Sequence, residues 1–330
     1  MSVYREAGVD LDAHAAVVGR LGAIAAAASR PEVLAGVGPF AGAMRLPAGL
    51  EGRDPVLVAS TDSVGTKVLL AAACGRYGEV GQDVVVHCAN DVATSGAAPL
   101  FFLDYLAVHR LEAPAALAVL AGVAEACRAA GCALLGGETA QMPDLYREGT
   151  WDLAGTMVGI VPRDGLVVPR AEPGDAVVGI PSSGLHTNGY SLVRRVLAAT
   201  GTDFAVAADM LLAPSRLYSG DVARLRAEGA SLRGLAHITG GGLPGNLDRA
   251  LSPRVDAVLD PGSWDRPPVF PWLQGLGGIA EEEMRRVFNL GVGFCVIVPA
   301  AEADAVCGLL HGARRIGEVV PGAGRVRFTG

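Results

Sequence analysis

Lysine is almost absent from this chain. One residue of 330, Lys67, is a lysine, although Lys and Arg together number 27. Acidic residues number 34, giving a net charge of −7. No basic stripe gathers anywhere, which argues against a nucleic-acid partner. Aromatic residues make up only 5%, so Ala, Val, Leu and Gly must do most of the packing. Every long apolar stretch is broken by Gly, Pro or a charge, so no membrane span is expected. The opening residues, MSVYREAGVDLDAH, carry acids and lack the apolar centre of a signal peptide, so the expected compartment is the cytoplasm. None of the six cysteines forms a C-x-x-C pair, so buried free thiols are expected rather than zinc or disulfides. No repeat of 20 to 50 residues recurs, which excludes solenoids.

What remains is a chain long enough for two domains, with 51% hydrophobic residues to fill their cores. The 45 glycines fall at turns and in short clusters. Residues 14–29 read as an Ala-rich helix and 36–42 as a mobile glycine-rich loop. A strand over 55–60 leads into a helix that Gly75 closes. A helix over 80–95, a strand over 99–109, a helix over 114–130 and strands over 132–139 and 151–162 follow. The prolines and turn around 170 mark a boundary, giving domains 1–169 and 170–330. The second alternates again: strand 176–184, helices 188–199 and 215–228, a loop at 237–242 and a helix after it. Strand 254–259, helix 280–288, strand 291–298, helix 302–310 and strand 314–320 complete it. The fold class is α/β (α+β) throughout. The strand order is not specified; a barrel, a sandwich and an open sheet all satisfy the pattern.

The stretch STDSVGTK, residues 60–67, sets an acid, a glycine and the lone lysine between a strand and a helix. It fails the P-loop pattern G-x-x-x-x-G-K-[ST]. A chain so biased to Arg keeps Lys here, where a compact point charge on a flexible stem suits a moving phosphoryl group. Asp62, Asp91 and Glu138 each sit beside apolar elements, where a lone charge is costly. The three make chemical sense if they share Mg²⁺, a hard ion that takes oxygen ligands together with substrate phosphates. Asp62 and Glu138 as turn formers, and Asp91 as a satisfied helix acid, are the plainer alternatives. The second half offers three polar glycine loops: 181–192 with Ser182, Ser183, Gly184, His186 and Asn188; 236–246 with His237, Thr239, Gly240, Gly241 and Gly242; and 288–293. Loops of this kind before helices bind anions through backbone N–H groups. Three together suggest a site for a phosphorylated substrate.

These motifs resemble those of the phosphoribosylformylglycinamidine cyclo-ligases, or AIR synthetases, nearly end to end. YREAGVDLDA, RPEVLAGVGPFAG, STDSVGTK, NDVATSGAAPLFFLDY, GGETAQMP, SSGLHTNGYSLVR, HITGGGLPGN and FNLGVG carry the resemblance. It implies a two-domain ATP-binding fold whose N-terminal domain pairs with its twin in a homodimer, and the use of ATP and Mg²⁺. It implies a phosphoribosyl substrate, closed to an imidazole through an O-phosphoryl imidate. Under it, Lys67 and Asp91 are the catalytic residues, and Asp62, Asp91 and Glu138 hold the metal. Asp62, Gly65, Thr66, Lys67, Asn90, Gly137 and Thr139 meet ATP. Ser183, Gly184, His186, Asn188, His237, Thr239 and Gly240 to Gly242 meet the substrate. Pro39, Ala98 and the pair Ser219-Gly220 depart from the family's pattern and bear on substrate affinity. Another ATP-using phosphotransferase of the same superfamily, or a non-catalytic nucleotide-binding paralogue, are the competing readings.

Overall fold

The structure is a computed structural model and describes residues 11–36, 42–50 and 52–329. The glycine loop at 36–42 therefore lies largely outside the described residues, and Pro39 and the opening ten residues lie wholly outside them. The chain divides into two compact units. The first is residues 1–92 with 99–164, and the second is residues 93–98 with 165–330.

The first unit runs α1 (Leu11–Ala26), β1 (Val33–Ala35), β2 (Ala43–Met44), β3 (Pro55–Ser63), α2 (Lys67–Cys74) and α3 (Tyr77–Ala93). It continues through β4 (Ala98–Val108), α4 (Ala113–Ala130), β5 (Ala133–Gln141) and β6 (Trp151–Pro162). The four long strands form one sheet in the order β3-β6-β4-β5. β3 pairs antiparallel with β6, and β4 parallel with β5. β3, most of β6 and the middle of β4 alternate, as a half-covered sheet requires. Phe102, Leu106, Leu153 and Met157 turn inward and are buried, whereas Leu57, Leu103 and Tyr105 stand exposed on the other face. α4 is long and apolar enough to cross a membrane by length and composition. Here it is a core helix, burying Val119, Leu120, Val123 and Cys127 in the first unit.

The second unit runs β7 (Ala176–Pro181), α5 (Tyr190–Thr200), α6 (Ala208–Leu211), α7 (Ser219–Ala227), β8 (Gly234–His237), α8 (Gly242–Leu247) and β9 (Val255–Leu259). Then come α9 (Val269–Gly277), α10 (Glu281–Val287), β10 (Val292–Val298), α11 (Ala303–Leu309), β11 (Arg314–Pro321) and β12 (Val326–Phe328). Its six strands are ordered β12-β9-β11-β7-β10-β8. All seven residues of β10 are buried, because the sheet carries cores on both faces. The hexapeptide 93–98 belongs here. Val167 donates its N–H to Ser95 O at 2.9 Å, Arg226 bonds the Gly96 carbonyl, and Ala93 joins the core around Tyr218. All six cysteines are free; burial pushes the Cys88 thiol up to about 12.

Candidate active site

In the first unit, Asp83, His87 and Asp91 recur every fourth residue along α3, so they share one face of the helix. That face lies against β3 and the turn beyond it. Lys67 Nζ meets Asp83 Oδ2 at 2.5 Å, His87 Nε2 meets Asp62 Oδ2 at 2.8 Å, and Ser60 Oγ donates to Asp91 Oδ2 at 3.0 Å. Asp62 Oδ1 also accepts the Ser63 N–H at 2.7 Å. Gly65 turns the chain between them at φ +56°, a conformation that favours glycine.

Lys67 departs from the sequence-based expectation. It does open a helix, but its side chain is 0% exposed, as is that of Asp83. An isolated ammonium in an apolar interior is prohibitively costly, so the charge is held by a buried carboxylate rather than offered to a phosphate. Thr66 precedes it as an N-cap without a side-chain capping bond.

The acids divide as well. Asp62 stands on β3 and Glu138 on β5, the two outer strands of the sheet. Three strand spacings separate them, roughly 14 Å, too far for ligands that must each approach an ion to about 2.1 Å. Glu138 lies beside Tyr105 on the uncovered face, whereas Ser60 and Asp62 turn towards α3. One chain therefore does not bring all three to one ion. Asp62 and Asp91 remain. They are oxygen donors of like charge, Asp91 standing near enough to oppose the ionisation of Asp62, and theirs is the donor chemistry that suits Mg²⁺.

Burial pushes the Asp62 carboxyl up, but the hydrogen bond and charge of His87, with the Ser63 amide, outweigh it and leave the group below its usual range. Burial likewise pulls His87 down, and the bond and charge of Asp62, with Asp91 and Asp83, carry it above its ordinary value. Of the other residues assigned to ATP, Asn90 is buried within α3 and Thr139 within β5. A Cβ on Gly137 would meet Asp104 Oδ1 at 2.1 Å, so its smallness serves that buried carboxyl. A cavity of about 290 Å³ opens in the same unit between Tyr77, Leu106, Val108, Val119 and Trp151. The Trp151 Nε1–H is buried with no hydrogen-bond partner among the described residues.

In the second unit the three glycine loops do converge, at the ends of β7, β8 and β10. Asn289, which the sequence reading passed over, ties two of them. It accepts from Ser182 Oγ and Gly291 N at 2.9 Å each and donates to Gly184 O at 2.8 Å. Asn246 fastens the third, donating to Gly242, Gly240 and Thr239 carbonyls at 2.8, 3.1 and 3.3 Å while accepting from Thr239 Oγ1 at 3.1 Å. His186 is buried at φ +58°, and its Nε2 accepts the Ser183 N–H at 3.3 Å. Tyr218 lies between His186 and His237, with ring centroids at 6.1 and 6.4 Å. His186 thus fastens its own loop through Ser183, while His237 packs against the rings of Tyr218 and Phe294. Gly242, expected to approach a phosphate, packs instead on α10: a Cβ there would meet Arg285 O at 2.1 Å. Ser183 and Gly240 are exposed, and Asn188, Thr239 and Gly241 half-exposed, so these five form the open rim. Of the departures, Ala98 is exposed at the start of β4 and Ser219 is buried at the start of α7.

Residues 41–161 match the family described as AIR synthase related protein, N-terminal domain, and residues 172–328 its C-terminal domain. The chain is 50% identical over 329 residues to a phosphoribosylformylglycinamidine cyclo-ligase of Synechococcus sp. (strain CC9605), covering 96% of this chain and 95% of that one. Among solved structures it is similar to thiamine-monophosphate kinase from Stenotrophomonas maltophilia K279a, at 22% identity and a TM-score of 0.71 with 96% of each chain covered. It is also similar to the hydrogenase maturation protein HypE in complex with ATP, at 20% identity and a TM-score of 0.68, covering 94% of this chain and 90% of that one. At such identities the two structures speak for the fold alone.

Proposed function

The chain belongs to the phosphoribosylformylglycinamidine cyclo-ligase family, ATP-dependent ligases that close formylglycinamidine ribonucleotide to 5-aminoimidazole ribonucleotide, and from that premise we propose how its residues divide the work. The observation that carries the reading is the full-length 50% identity to a cyclo-ligase, against 22% to a kinase sharing the fold.

An amide oxygen is a poor leaving group, and phosphorylation makes it a good one. The γ-phosphoryl group of ATP passes to the formyl oxygen, giving an O-phosphoryl imidate. The ribosyl-bearing amidine nitrogen attacks the former formyl carbon, and phosphate leaves with the C–O bond electrons. Catalysis then lies in alignment and in neutralising charge. Asp62 and Asp91 hold Mg²⁺, which supplies charge neutralisation for the triphosphate. The cavity beside Trp151 takes the adenine: at about 290 Å³ it fits a base rather than a whole nucleotide, and the Trp151 side chain forms part of its wall. In the second unit the rim of Ser183, Asn188, Thr239, Gly240 and Gly241 takes the ribonucleotide's phosphate. Lys67 supports the site through Asp83 without touching substrate.

A second copy of the chain covers the open face of the four-stranded sheet, where Leu57 is 60% and Tyr105 38% exposed and where β3 and β5 are the outer strands among the described residues. Leu57→Arg should convert a dimer to a monomer in sedimentation equilibrium; an unchanged mass places the dimer face elsewhere. The function itself is tested by incubating the protein with formylglycinamidine ribonucleotide, ATP and Mg²⁺. Equimolar 5-aminoimidazole ribonucleotide and ADP are expected, and ADP without the imidazole would refute the assignment. Asp91→Asn should abolish both products while leaving the circular dichroism spectrum unchanged.

A further inference from the structure

His87 has no role in the sequence pattern that identifies the site, yet it is a buried group in direct contact with Asp62, its Nε2 2.8 Å from Asp62 Oδ2. Its side chain is 6% exposed, while the Asp62 carboxylate that it meets is 41% exposed. The imidazole therefore supports that carboxylate from below, and the carboxylate faces outward. A ring nitrogen of His87 and a carboxylate oxygen of Asp91 also lie within 4.8 Å of each other. An ionised carboxylate has about four lone-pair positions. On Asp62, one is taken by the Ser63 N–H and one by His87 Nε2. With both oxygens fixed, the carboxylate plane no longer rotates, and the remaining lone pairs keep one direction. On Asp91, Ser60 plays the same part through its hydroxyl.

We propose that His87 is a positioning residue for the divalent cation, holding Asp62 in the orientation in which it and Asp91 ligate together. The proposal rests on the assignment of the cation to Asp62 and Asp91. Nε2 must carry a proton to donate to Asp62. Losing such an outer partner leaves the ligand atoms in place but lets the carboxylate turn, which in metal sites costs about 10- to 100-fold in affinity.

The test uses the full-length protein and Mn²⁺ as the probe, with binding read by electron paramagnetic resonance and stability read separately by calorimetry in metal-free buffer. His87→Leu keeps the bulk and removes the donor. His87→Gln places an amide N–H near the position of Nε2, and His87→Asn is too short to reach. Expected are a 10- to 100-fold loss of Mn²⁺ affinity for Leu and Asn, and affinity for Gln within about threefold of the parent. If His87→Leu fails to fold, the contrast between Gln and Asn decides. Equal affinity in all three, while Asp62→Asn and Asp91→Asn lose Mn²⁺, would overturn the role of His87 alone. Retention of Mn²⁺ by Asp62→Asn and Asp91→Asn would instead overturn the cation assignment beneath it.

Discussion

Replacing the single lysine separates two accounts of STDSVGTK. In the structure Lys67 and Asp83 are both 0% exposed and their charged atoms stand 2.5 Å apart. Lys67→Met keeps the stem and deletes the ammonium, leaving the Asp83 carboxylate in the interior without it. Breaking a buried pair from one side costs about 3–5 kcal/mol. For a unit of this size each kcal/mol lowers Tm by about 2–4 °C, so a drop of about 6–20 °C is expected by calorimetry. Lys67→Met combined with Asp83→Leu removes both charges and should recover most of that loss, because exchanging a whole buried pair for apolar groups is often neutral. The coupling in this cycle should reach on the order of 3 kcal/mol. Amine-directed reagents provide an independent check: they should modify the α-amino group and spare Lys67 with or without ATP, until the protein unfolds. A Lys67→Met protein within about 1 kcal/mol of the parent, inactive, and a parent whose Lys67 labels and is protected by ATP, would refute the buried-pair account. That outcome would return the lysine to the phosphate.

Asp104 is 8% exposed, and burial pushes its carboxyl up to about 7, with the Glu138 charge adding to the effect. A carboxyl raised when folded contributes stability below its unfolded value, near 3.8, that is lost as pH rises towards 7. Asp104→Asn should therefore flatten the decline in stability between pH 4 and 8, gaining on the order of 2 kcal/mol at pH 8; parallel curves for both proteins would contradict it. Gly293 leaves no room for a side chain, since a Cβ would stand 1.9 Å from Tyr218 Oη and 2.7 Å from His186 Cε1. Gly293→Ala should displace both rings, lower stability by about 1–3 kcal/mol, and raise the KM for the ribonucleotide more than that for ATP. Equal changes in both KM values would detach this cluster from substrate binding. Trp151→Phe should weaken ATP binding several-fold with little change in the KM for the ribonucleotide, whereas equal KM shifts would empty the cavity of its proposed base.

Hydrophobic alternation and glycine punctuation made most elements legible. The expected strands over 55–60 and 151–162 are β3 and β6, and the helix over 114–130 is α4. Helix α9 was passed over because Pro267, Pro268, Pro271 and three glycines crowd its sequence. Two of those prolines precede it and the third falls in its first turn, where no helical N–H is needed. The strand order had no local signal, and it alone keeps Glu138 away from Asp62. Local spacing could reveal that Asp83, His87 and Asp91 share a helix face, but not that Lys67, Asp62 and Ser60 lie opposite. That pairing is tertiary. The same limit hid Asn289 and Asn246, two ordinary polar residues whose importance comes from the loops they fasten.

The central claim is that the formyl oxygen leaves as phosphate. Formylglycinamidine ribonucleotide carrying ¹⁸O in the formyl group, turned over with unlabelled ATP in unlabelled water, tests it directly. Mass spectrometry of the released inorganic phosphate should show one ¹⁸O for each imidazole formed. Label appearing in water, with phosphate unlabelled while the imidazole still forms, would contradict the phosphoryl-imidate route and the alignment of donor and acceptor built upon it.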